Sequence, residues 1–351
     1  MMKIVAMKIA LKSVLEKVLA SKNVADKKPI FEKYDQNVQG NTVSERKLSA
    51  ANIISPFRDF PELDNESSRT SVAIACGGKP NFAKISARKA AENAVCEAVL
   101  KVSCVGAEPL CVTDCLNFGN PEKPDQMGEF VDALEGLKVV CKDLEVPIVS
   151  GNVSFYNESS GKSIPPSALI SVFAKIANPD LTVSTEFKNA GEKIFLVGER
   201  KDQNLGGSEF LNIFEKNDSR IPETDFVEFL ETTKKLQKAV KKGTVTSASP
   251  VLTGGSVVTI LKSCFLSNLG ASINIPTELS VPNFLFSENL AAVVTSSSPE
   301  KVTELFGENV LEIGEVTSDK KIKISHGEES VLDEDLNGLQ KIWENSLREI
   351  F

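Results

Sequence analysis

The sequence lacks several features that would point to particular chemistries. It contains a single histidine, His326, in 351 residues, which excludes a site that needs several imidazoles, such as a three-histidine zinc centre. It has no G-x-x-x-x-G-K-[S/T] segment and no G-x-G-x-x-G segment, so the P-loop and Rossmann fingerprints of nucleotide binding are missing. No run approaches about 18 apolar residues, so we expect no membrane-spanning segment.

Basic side chains are also fewer than acidic ones. The chain carries 40 basic and 48 acidic side chains, a formal net charge of -8 at pH 7. This balance argues against binding to nucleic acid or to an anionic membrane surface, because both attract basic faces. A hydrophobic content of 41% is ordinary for a globular protein. The length predicts two domains of about 150 residues each.

The seven cysteines contain no C-x-x-C pair, and their number is odd. They are Cys76, Cys96, Cys104, Cys111, Cys115, Cys141 and Cys264. This pattern argues against a disulfide framework or a zinc site, and it favours buried free thiols in a reducing, cytoplasmic compartment. A cysteine nucleophile would need a base, and only His326, in a predicted polar turn, is available.

Hydrophobic periodicity predicts an α+β or mixed α/β protein with two domains. We expect an N-terminal helix and arm over 1–30, a first domain over 31–183 and a second over 184–351. The first twenty residues have lysines among apolar residues at helical spacing, which indicates an amphipathic helix rather than a signal peptide. The polar stretch near 177–193 is the expected domain boundary.

Within the first domain, a strand is predicted over 71–76 and a helix begins at Ala87. One side of that helix is rich in alanine, which lets another backbone approach closely. Its members are Ala87, Ala90, Ala91, Ala94, Val95, Ala98, Val99 and Val102. A short buried strand over 110–114 and a second helix from Pro124 follow. The expected inner side of the second helix comprises Met127, Phe130, Val131, Leu134, Leu137 and Val140.

Two further apolar strands are predicted over 148–152 and 168–176. The second domain is predicted to contain a strand from Lys193, a helix over 223–241 and a closing helix from Leu336.

Two segments directly after apolar strands have functional character. "TDCLNFGNPEKP" (113–124) offers the Asp114 carboxylate, and "SGNVSFYNE" (150–158) offers Gly151 with nearby amide and hydroxyl groups. Carboxylate and amide oxygens next to a glycine suit Mg²⁺ and a phosphate-bearing ligand. From the residues alone, ordinary turn formation is as good an explanation, because the same residue types dominate turns.

A third segment, "LGGSEFL" (205–211), places glycines before a predicted helix, where backbone N–H groups can bind an anion. Ser208 as a simple helix N-cap is the alternative. "LTGGSVVTIL" (252–261) has the same character.

Together these segments resemble phosphoribosylformylglycinamidine synthase, the large synthetase subunit of purine biosynthesis. The stretches that carry the resemblance are "EKYDQNVQGNTV" (32–43), "GAEPLCVTDCLNFGNPEKP" (106–124), "VPIVSGNVSFYNE" (146–158), "LVGE" (196–199) and "LGGSEFL" (205–211). The resemblance covers essentially the whole chain, but it looks like only the C-terminal half of the single-chain enzyme. An aminoimidazole ribonucleotide or selenophosphate synthetase explains the second and third stretches less well.

The resemblance implies a two-domain fold like that of aminoimidazole ribonucleotide synthetase, with an A-type sheet domain and a B-type α/β domain. It also implies an ATP- and Mg²⁺-dependent ligase that amidates formylglycinamide ribonucleotide with ammonia from a glutaminase partner. By the same resemblance, Asp114 and Gly151 contact ATP, Asn152 ligates Mg²⁺ and Ser154 contacts substrate. The resemblance also implies, less strongly, a phosphate contact at Gly206, Gly207 and Ser208.

Several family positions are changed or missing here. The family's catalytic histidine and most of its acidic Mg²⁺ ligands belong to the N-terminal half. "SPVLTGG" (249–255) stands where B-type domains often read "HDVSDGG", and "ENLAA" (288–292) stands where others read "ESQGR". Relatives also tend to have an aspartate shortly after the strand over 71–76. We therefore expect a half-site that keeps some nucleotide contacts but has lost the catalytic groups.

We expect no catalytic residue in this chain and no activity from the chain alone. The implied partners are the N-terminal half, as a separate chain or as a missing segment, a glutaminase subunit and a small accessory subunit. A homodimer that substitutes for the missing half is a further expectation. The alternative function is a non-catalytic, nucleotide-holding scaffold in the same complex.

Overall fold

A computed structural model describes residues 2–44, 48–60, 62–198, 204–348 and 350. Two β-sheets of five and seven strands, each with its own helices, form two units, and a two-stranded ribbon is added to the first. The helices are Met2–Ala20 (α1), Lys28–Phe31 (α2), Asn65–Arg69 (α3), Pro80–Ala83 (α4), Ala87–Cys104 (α5), Pro124–Asp143 (α6), Glu209–Ile213 (α7), Phe226–Lys241 (α8), Gly255–Ser267 (α9), Val281–Phe286 (α10), Pro299–Phe306 (α11) and Leu336–Asn345 (α12). The strands are Asn52–Ile54 (β1), Ser71–Gly77 (β2), Glu108–Asn117 (β3), Ile148–Ser154 (β4), Glu158–Ser159 (β5), Lys162–Ser163 (β6), Ser167–Ile176 (β7), Lys193–Val197 (β8), Ser247–Pro250 (β9), Gly270–Ile275 (β10), Ala292–Ser296 (β11), Val310–Thr317 (β12), Lys321–His326 (β13) and Glu329–Asp335 (β14).

The first sheet has the strand order β1-β2-β7-β3-β4, and only β3 and β4 run parallel. α5 packs on one face of this sheet, and every member of its predicted alanine-rich side is buried. The approach is close: a Cβ atom added at Gly77 would lie 2.1 Å from the carbonyl oxygen of Ala94. The expectation of close packing on this side of α5 is confirmed.

The opposite face of the first sheet, here named the open sheet face, is not covered by any described element. Leu169 of β7 is 47% exposed, and Cys76 of β2 and Cys115 of β3 are also exposed. The expectation that the cysteines are buried is therefore wrong for these two. Alternate residues of a strand point to opposite faces, so the apolar runs that looked continuous place half of their side chains on this face.

Two further expectations about burial are wrong. β3 is ten residues long rather than short and buried, and its side chains alternate between the core and the exterior. β4 is an edge strand, and Val149 is 61% exposed. On α6, Leu137 and Val140 are buried as expected and Phe130 is partly buried against the core, but the other three members of the predicted inner side are not buried. Met127, Val131 and Leu134 are exposed because α6 packs through its small residues, Ala133 and Gly136.

The second sheet is mixed and has the order β14-β13-β10-β12-β8-β11-β9. The N-terminal helix α1 packs on this unit: Leu15, Val18 and Leu19 join its buried core. The indole N–H of Trp343 in α12 donates to the carbonyl of Val24 at 3.0 Å and ties the following arm to the same unit. The arm therefore begins on the second unit before the chain enters the first.

The two units share a continuous apolar core, because α8 of the second packs against α5 of the first. At this contact the side-chain amide of Gln237 donates to the Ser103 hydroxyl at 3.1 Å, and both residues are buried. A domain boundary between residues 183 and 184 remains a proposal; it falls in the segment that joins β7 to β8.

The helices predicted from residues 223 and 336 are confirmed as α8 and α12. His326 does not lie in a turn: β13 and β14 stay paired up to His326 and Glu329, which leaves only two residues for the turn. Among the described residues, every helix is too short or too polar to cross a bilayer. Glu199, the last residue of "LVGE", lies outside the described residues.

Candidate functional site

Asp114 and Gly151 lie directly opposite each other on the parallel strands β3 and β4. A Cβ atom added at Gly151 would come within 2.4 Å of the Asp114 carboxylate, which lies over the glycine. Position 151 is therefore a glycine because the carboxylate uses the space that a side chain would fill.

The Asp114 carboxylate lies on the face of the sheet that α6 covers. Burial raises the pKa of Asp114, while the backbone N–H of Asn152 opposes the shift by stabilising the charged form. The thiol of Cys141 on α6 is close enough that burial and Asp114 together raise its pKa to about 11. Such a carboxylate is suited to accept hydrogen bonds from hydroxyl or amino groups, whereas it would repel a phosphate.

Asn152 and Ser154 lie on the other face, because side chains alternate along β4. The amide of Asn152 is 3.9 Å from the Cys115 sulfur on the open sheet face. The hydroxyl of Ser154 donates to the side-chain carbonyl of Asn157 at 3.3 Å. Asp114, Gly151 and Asn152 lie in strands, as predicted, and Ser154, which follows the predicted strand, still belongs to β4. Because strand side chains alternate, these residues divide between the two faces of the sheet.

This division bears on the expected Mg²⁺ site. Mg²⁺ takes oxygen ligands in octahedral geometry, usually one or two carboxylates with water and phosphate. Among the described residues, no group of three or more histidine, cysteine or acidic side chains could hold a metal ion. Asn152 can offer one amide oxygen, but Asp114 points to the opposite face. The residues present therefore do not fit a Mg²⁺ site on their own.

The glycine turn before α7 is stabilised by hydrogen bonds within the chain. The N–H of Gly206 donates to the Arg220 carbonyl, and the N–H of Ser208 donates to the Leu205 carbonyl, both at 2.9 Å. The Ser208 hydroxyl accepts from the N–H of Leu211 at 3.3 Å and caps α7. The N-cap explanation of Ser208 is therefore correct, and few N–H groups of this turn remain for a phosphate.

A buried carboxylate, Glu288, joins this turn to the second glycine turn. Its Oε1 atom accepts from the N–H of Glu209 at 2.8 Å and from the N–H of Gly254 at 3.0 Å. Backbone N–H groups at helix starts bind anions, and here the anion is a side chain of the same protein. Burial raises the pKa of Glu288, while Lys79 and these two N–H groups oppose the shift.

Lys79 of the first unit supplies the counter-charge. Its ammonium lies 3.0 Å from Glu97 Oε2 and 3.9 Å from Glu288 Oε2, and its side chain is 3% exposed. Burial opposes the charge of Lys79, but the two carboxylates outweigh burial and raise its pKa. This cation follows β2 closely, in the region where the resemblance predicts an aspartate.

Glu209 extends the same polar cluster. Its carboxylate accepts hydrogen bonds from Ser21, from Asn23 at 2.9 Å and from Asn81 at 3.1 Å. The cluster therefore links the N-terminal arm, the first unit and the second unit. Residue spacing does not predict this cluster, although the glutamate of "ENLAA" matches the first residue of "ESQGR".

A cavity of about 550 Å³ adjoins the first glycine turn, between α4 of the first unit and α7 of the second. Asn81, Lys84, Gly207 and Ser208 are among its lining residues. Its volume is within the range of about 300–1,000 Å³ that small-molecule sites occupy.

Comparison with known proteins identifies both units. Residues 66–175 match the family described as AIR synthase related protein, N-terminal domain. Residues 189–327 match AIR synthase related protein, C-terminal domain. The phosphoribosylformylglycinamidine synthase subunit PurL of Carboxydothermus hydrogenoformans is 34% identical over 341 residues, which are 95% of this chain and 46% of that protein. The chain spans about half the length of such relatives.

Solved structures share the fold. Thermotoga maritima PurL complexed with FGAR superposes with a TM-score of 0.75 and 14% identity, over 94% of this chain and 53% of that one. The same protein complexed with ADP superposes with a TM-score of 0.64 and 16% identity, over 85% of this chain and 48% of that one. The two-domain fold expected from the sequence is confirmed.

Proposed function

Because the chain belongs to the AIR synthase related family, we propose that it is half of an ATP-dependent amidoligase of purine biosynthesis. The reaction converts formylglycinamide ribonucleotide and ammonia derived from glutamine into formylglycinamidine ribonucleotide. The observation that carries the proposal is the match to PurL over 95% of this chain and only 46% of the relative. The other half would supply the catalytic histidine and the acidic ligands that this chain lacks.

In this proposal the two faces of the first sheet have different roles. In this proposal the Asp114 carboxylate accepts hydrogen bonds from a hydroxyl or amino group of ATP, with Gly151 leaving room for it. Ser154 contacts the substrate from the other face. When bound, Mg²⁺ would neutralise phosphate charge, and Asn152 would be one ligand only if the other half supplies the carboxylates.

A phosphate contact at Gly206, Gly207 and Ser208 is the weaker element of the proposal. Support comes from the adjoining cavity of about 550 Å³ and from Gly207, whose positive φ of 75° suits a tight turn. Some backbone N–H groups of this turn already donate to carbonyls of the chain, so fewer are left to bind a phosphate.

The open sheet face is the proposed contact with the other half. It exposes a large apolar side chain, Leu169, in the middle of the sheet, which a partner would bury. A second copy of this chain would cover the same face in a homodimer. The proposal also includes a glutaminase subunit, a small accessory subunit and a cytoplasmic location, where all seven cysteines stay free.

The first test measures ammonia- and glutamine-dependent amidation by the purified chain, alone and after mixing with a chain that carries the other half. We expect no turnover by the chain alone and restored turnover in the mixture. Sustained turnover without a partner would contradict the half-enzyme.

The alternative is a scaffold that holds a nucleotide without turning it over. The Glu288 cluster favours this alternative, because a side chain of the protein already binds N–H groups of both glycine turns. Replacing Asp114 by alanine in the assembled complex separates the two. Loss of turnover with unchanged complex stability supports a role in the reaction. Unchanged turnover per folded complex with lower stability supports the scaffold.

The partner surface is tested with Leu169→Glu. We expect light scattering to show weaker pairing, with either the other half or a second copy, and unchanged monomer stability. Cys76 and Cys115 provide an independent readout: alkylation of these thiols should slow when the partner binds. A chain that stays monomeric at all concentrations and keeps its thiols reactive in the mixture would rule out this face.

A further inference from the structure

A second, smaller cavity adjoins the "LTGGSVVTIL" segment of the second unit and contains none of the residues assigned to ATP, Mg²⁺ or substrate. It has a volume of about 160 Å³ and is bounded by α9, by the segment from Ser249 to Thr253 and by the residues that precede β1. Hydroxyl side chains dominate its lining: Ser49, Thr185, Ser249, Thr253, Thr259 and Ser263. Lys262 is the one charged residue among the lining residues, and no carboxylate is among them.

Half of these hydroxyl groups are already engaged with backbone carbonyls. Ser49 donates to Ala51 at 2.6 Å, and Thr259 and Ser263 donate within or beside α9 at 3.2 Å. The hydroxyls of Thr185, Ser249 and Thr253 make no hydrogen bond with the rest of the described chain. Three O–H donors are therefore available to a ligand.

The charge of Lys262 is poorly compensated. Its ammonium lies 5.8 Å from the ring centre of Trp343, and it forms no ion pair with the residues that the structure describes. Burial and the neighbouring charge of Lys101 lower the pKa of Lys262, while Asp26 opposes the shift. Because Lys262 has no direct counter-ion among the described residues, its charge is available to a bound anion.

We propose that this cavity binds a small tetrahedral oxyanion such as inorganic phosphate, with Lys262 as counter-charge and Thr185, Ser249 and Thr253 as hydrogen-bond donors. The cavity holds the volume of about five waters at roughly 30 Å³ each, enough for one such anion. A nucleotide needs a pocket of at least about 300 Å³, so the ligand is the free anion and not the end of a nucleotide. This proposal does not depend on the amidoligase.

The experiment measures the midpoint of thermal unfolding of the full chain against phosphate concentration. KCl keeps the ionic strength constant, because salt alone screens repulsion between lysines. We expect the midpoint to rise saturably with phosphate concentration. Titration calorimetry gives the dissociation constant directly.

Three variants identify the site. Lys262→Met should raise the dissociation constant about tenfold or more, the effect of losing a charge-assisted hydrogen bond, while Lys262→Arg keeps most of the affinity. Thr253→Val keeps the shape, removes one donor and should weaken binding about threefold or more. Lys301→Met removes an exposed charge on α11 and is the matched control, with unchanged affinity.

Either of two results overturns the proposal. The first is no saturable phosphate effect in the unmodified chain at constant ionic strength. The second is equal binding by the unmodified chain and by both the Lys262→Met and Thr253→Val variants. If Lys262→Met fails to fold, the Thr253→Val variant alone decides.

Discussion

The two units treat their candidate ligand-binding groups in opposite ways. In the first, Asn152 and the open sheet face expose polar and apolar groups that have few partners in the chain. In the second, Glu288 saturates the N–H groups behind both glycine turns, and Lys79 neutralises that carboxylate. Similar sequence signals therefore mark one surface that stays exposed in the chain and one site closed by the protein's own side chains.

The largest effect should come from opening the closed site. Glu288→Ala leaves Lys79 with one carboxylate and leaves two N–H groups unpaired, and it should lower the free energy of unfolding by about 3–5 kcal/mol. Glu288→Gln keeps an acceptor for the N–H groups and should lose less, about 1–3 kcal/mol. Urea denaturation measures both.

Glu304→Ala, at an exposed position on α11, is the control and should change stability by less than about 0.5 kcal/mol. Formate or acetate should partly restore the alanine variant, because a small carboxylate can occupy the vacated space. An alanine variant as stable as the control would show that Glu288 does not hold the turns.

Two glycines allow a matched comparison of the two units. Gly207 has a φ of 75°, and an added Cβ would lie 2.5 Å from the Phe82 ring, so Gly207→Ala should cost about 1–3 kcal/mol. Gly151→Ala meets only the Asp114 side chain, which can rotate away, so it should cost under about 1 kcal/mol.

The order of these two variants should reverse when nucleotide affinity is measured instead of stability. Gly151→Ala displaces the Asp114 carboxylate, so nucleotide affinity of the assembled complex should fall more than in Gly207→Ala. Equal stability losses in urea denaturation would remove the distinction between an open and a closed site.

The smallest effect concerns pH. Burial and the charge of Lys262 lower the pKa of Lys27 to about 8. The unfolded chain, with an ordinary pKa near 10.5, then binds more protons than the folded chain between pH 8 and 10.5. Stability from this group should therefore rise with pH across that window.

Lys27→Met should remove that slope. It also removes the hydrogen bonds that the Lys27 ammonium donates to the carbonyls of Lys22 at 2.9 Å and Ala25 at 2.7 Å, so the net change in stability at pH 7 should be below about 1 kcal/mol. Lys301→Met is again the exposed control. Denaturation curves at pH 7 and 9.5 measure the slope, and an unchanged slope in Lys27→Met would assign it to other groups.

Local patterns predicted much of the fold. The alanine-rich side of α5, the strand at Ser71 and the long helix α8 follow from residue spacing, because periodicity depends on neighbours along the chain. Burial of single side chains was predicted less well. Met127, Val131 and Leu134 have helical spacing yet stay exposed, because the packing of α6 depends on a sheet edge that the sequence does not reveal.

The fold class, the resemblance to the synthetase and the positions of the motif residues can all be inferred from the order of residues along the chain. Which of those residues share a face, and which already have partners, depends on how the strands and the two units pack. Asp114 and Asn152 are separated because strand side chains alternate, while Glu288 and Lys79 meet across two units that are far apart in the chain. Charge compensation in a buried site depends on distances in space, and residue spacing along the chain carries no record of them.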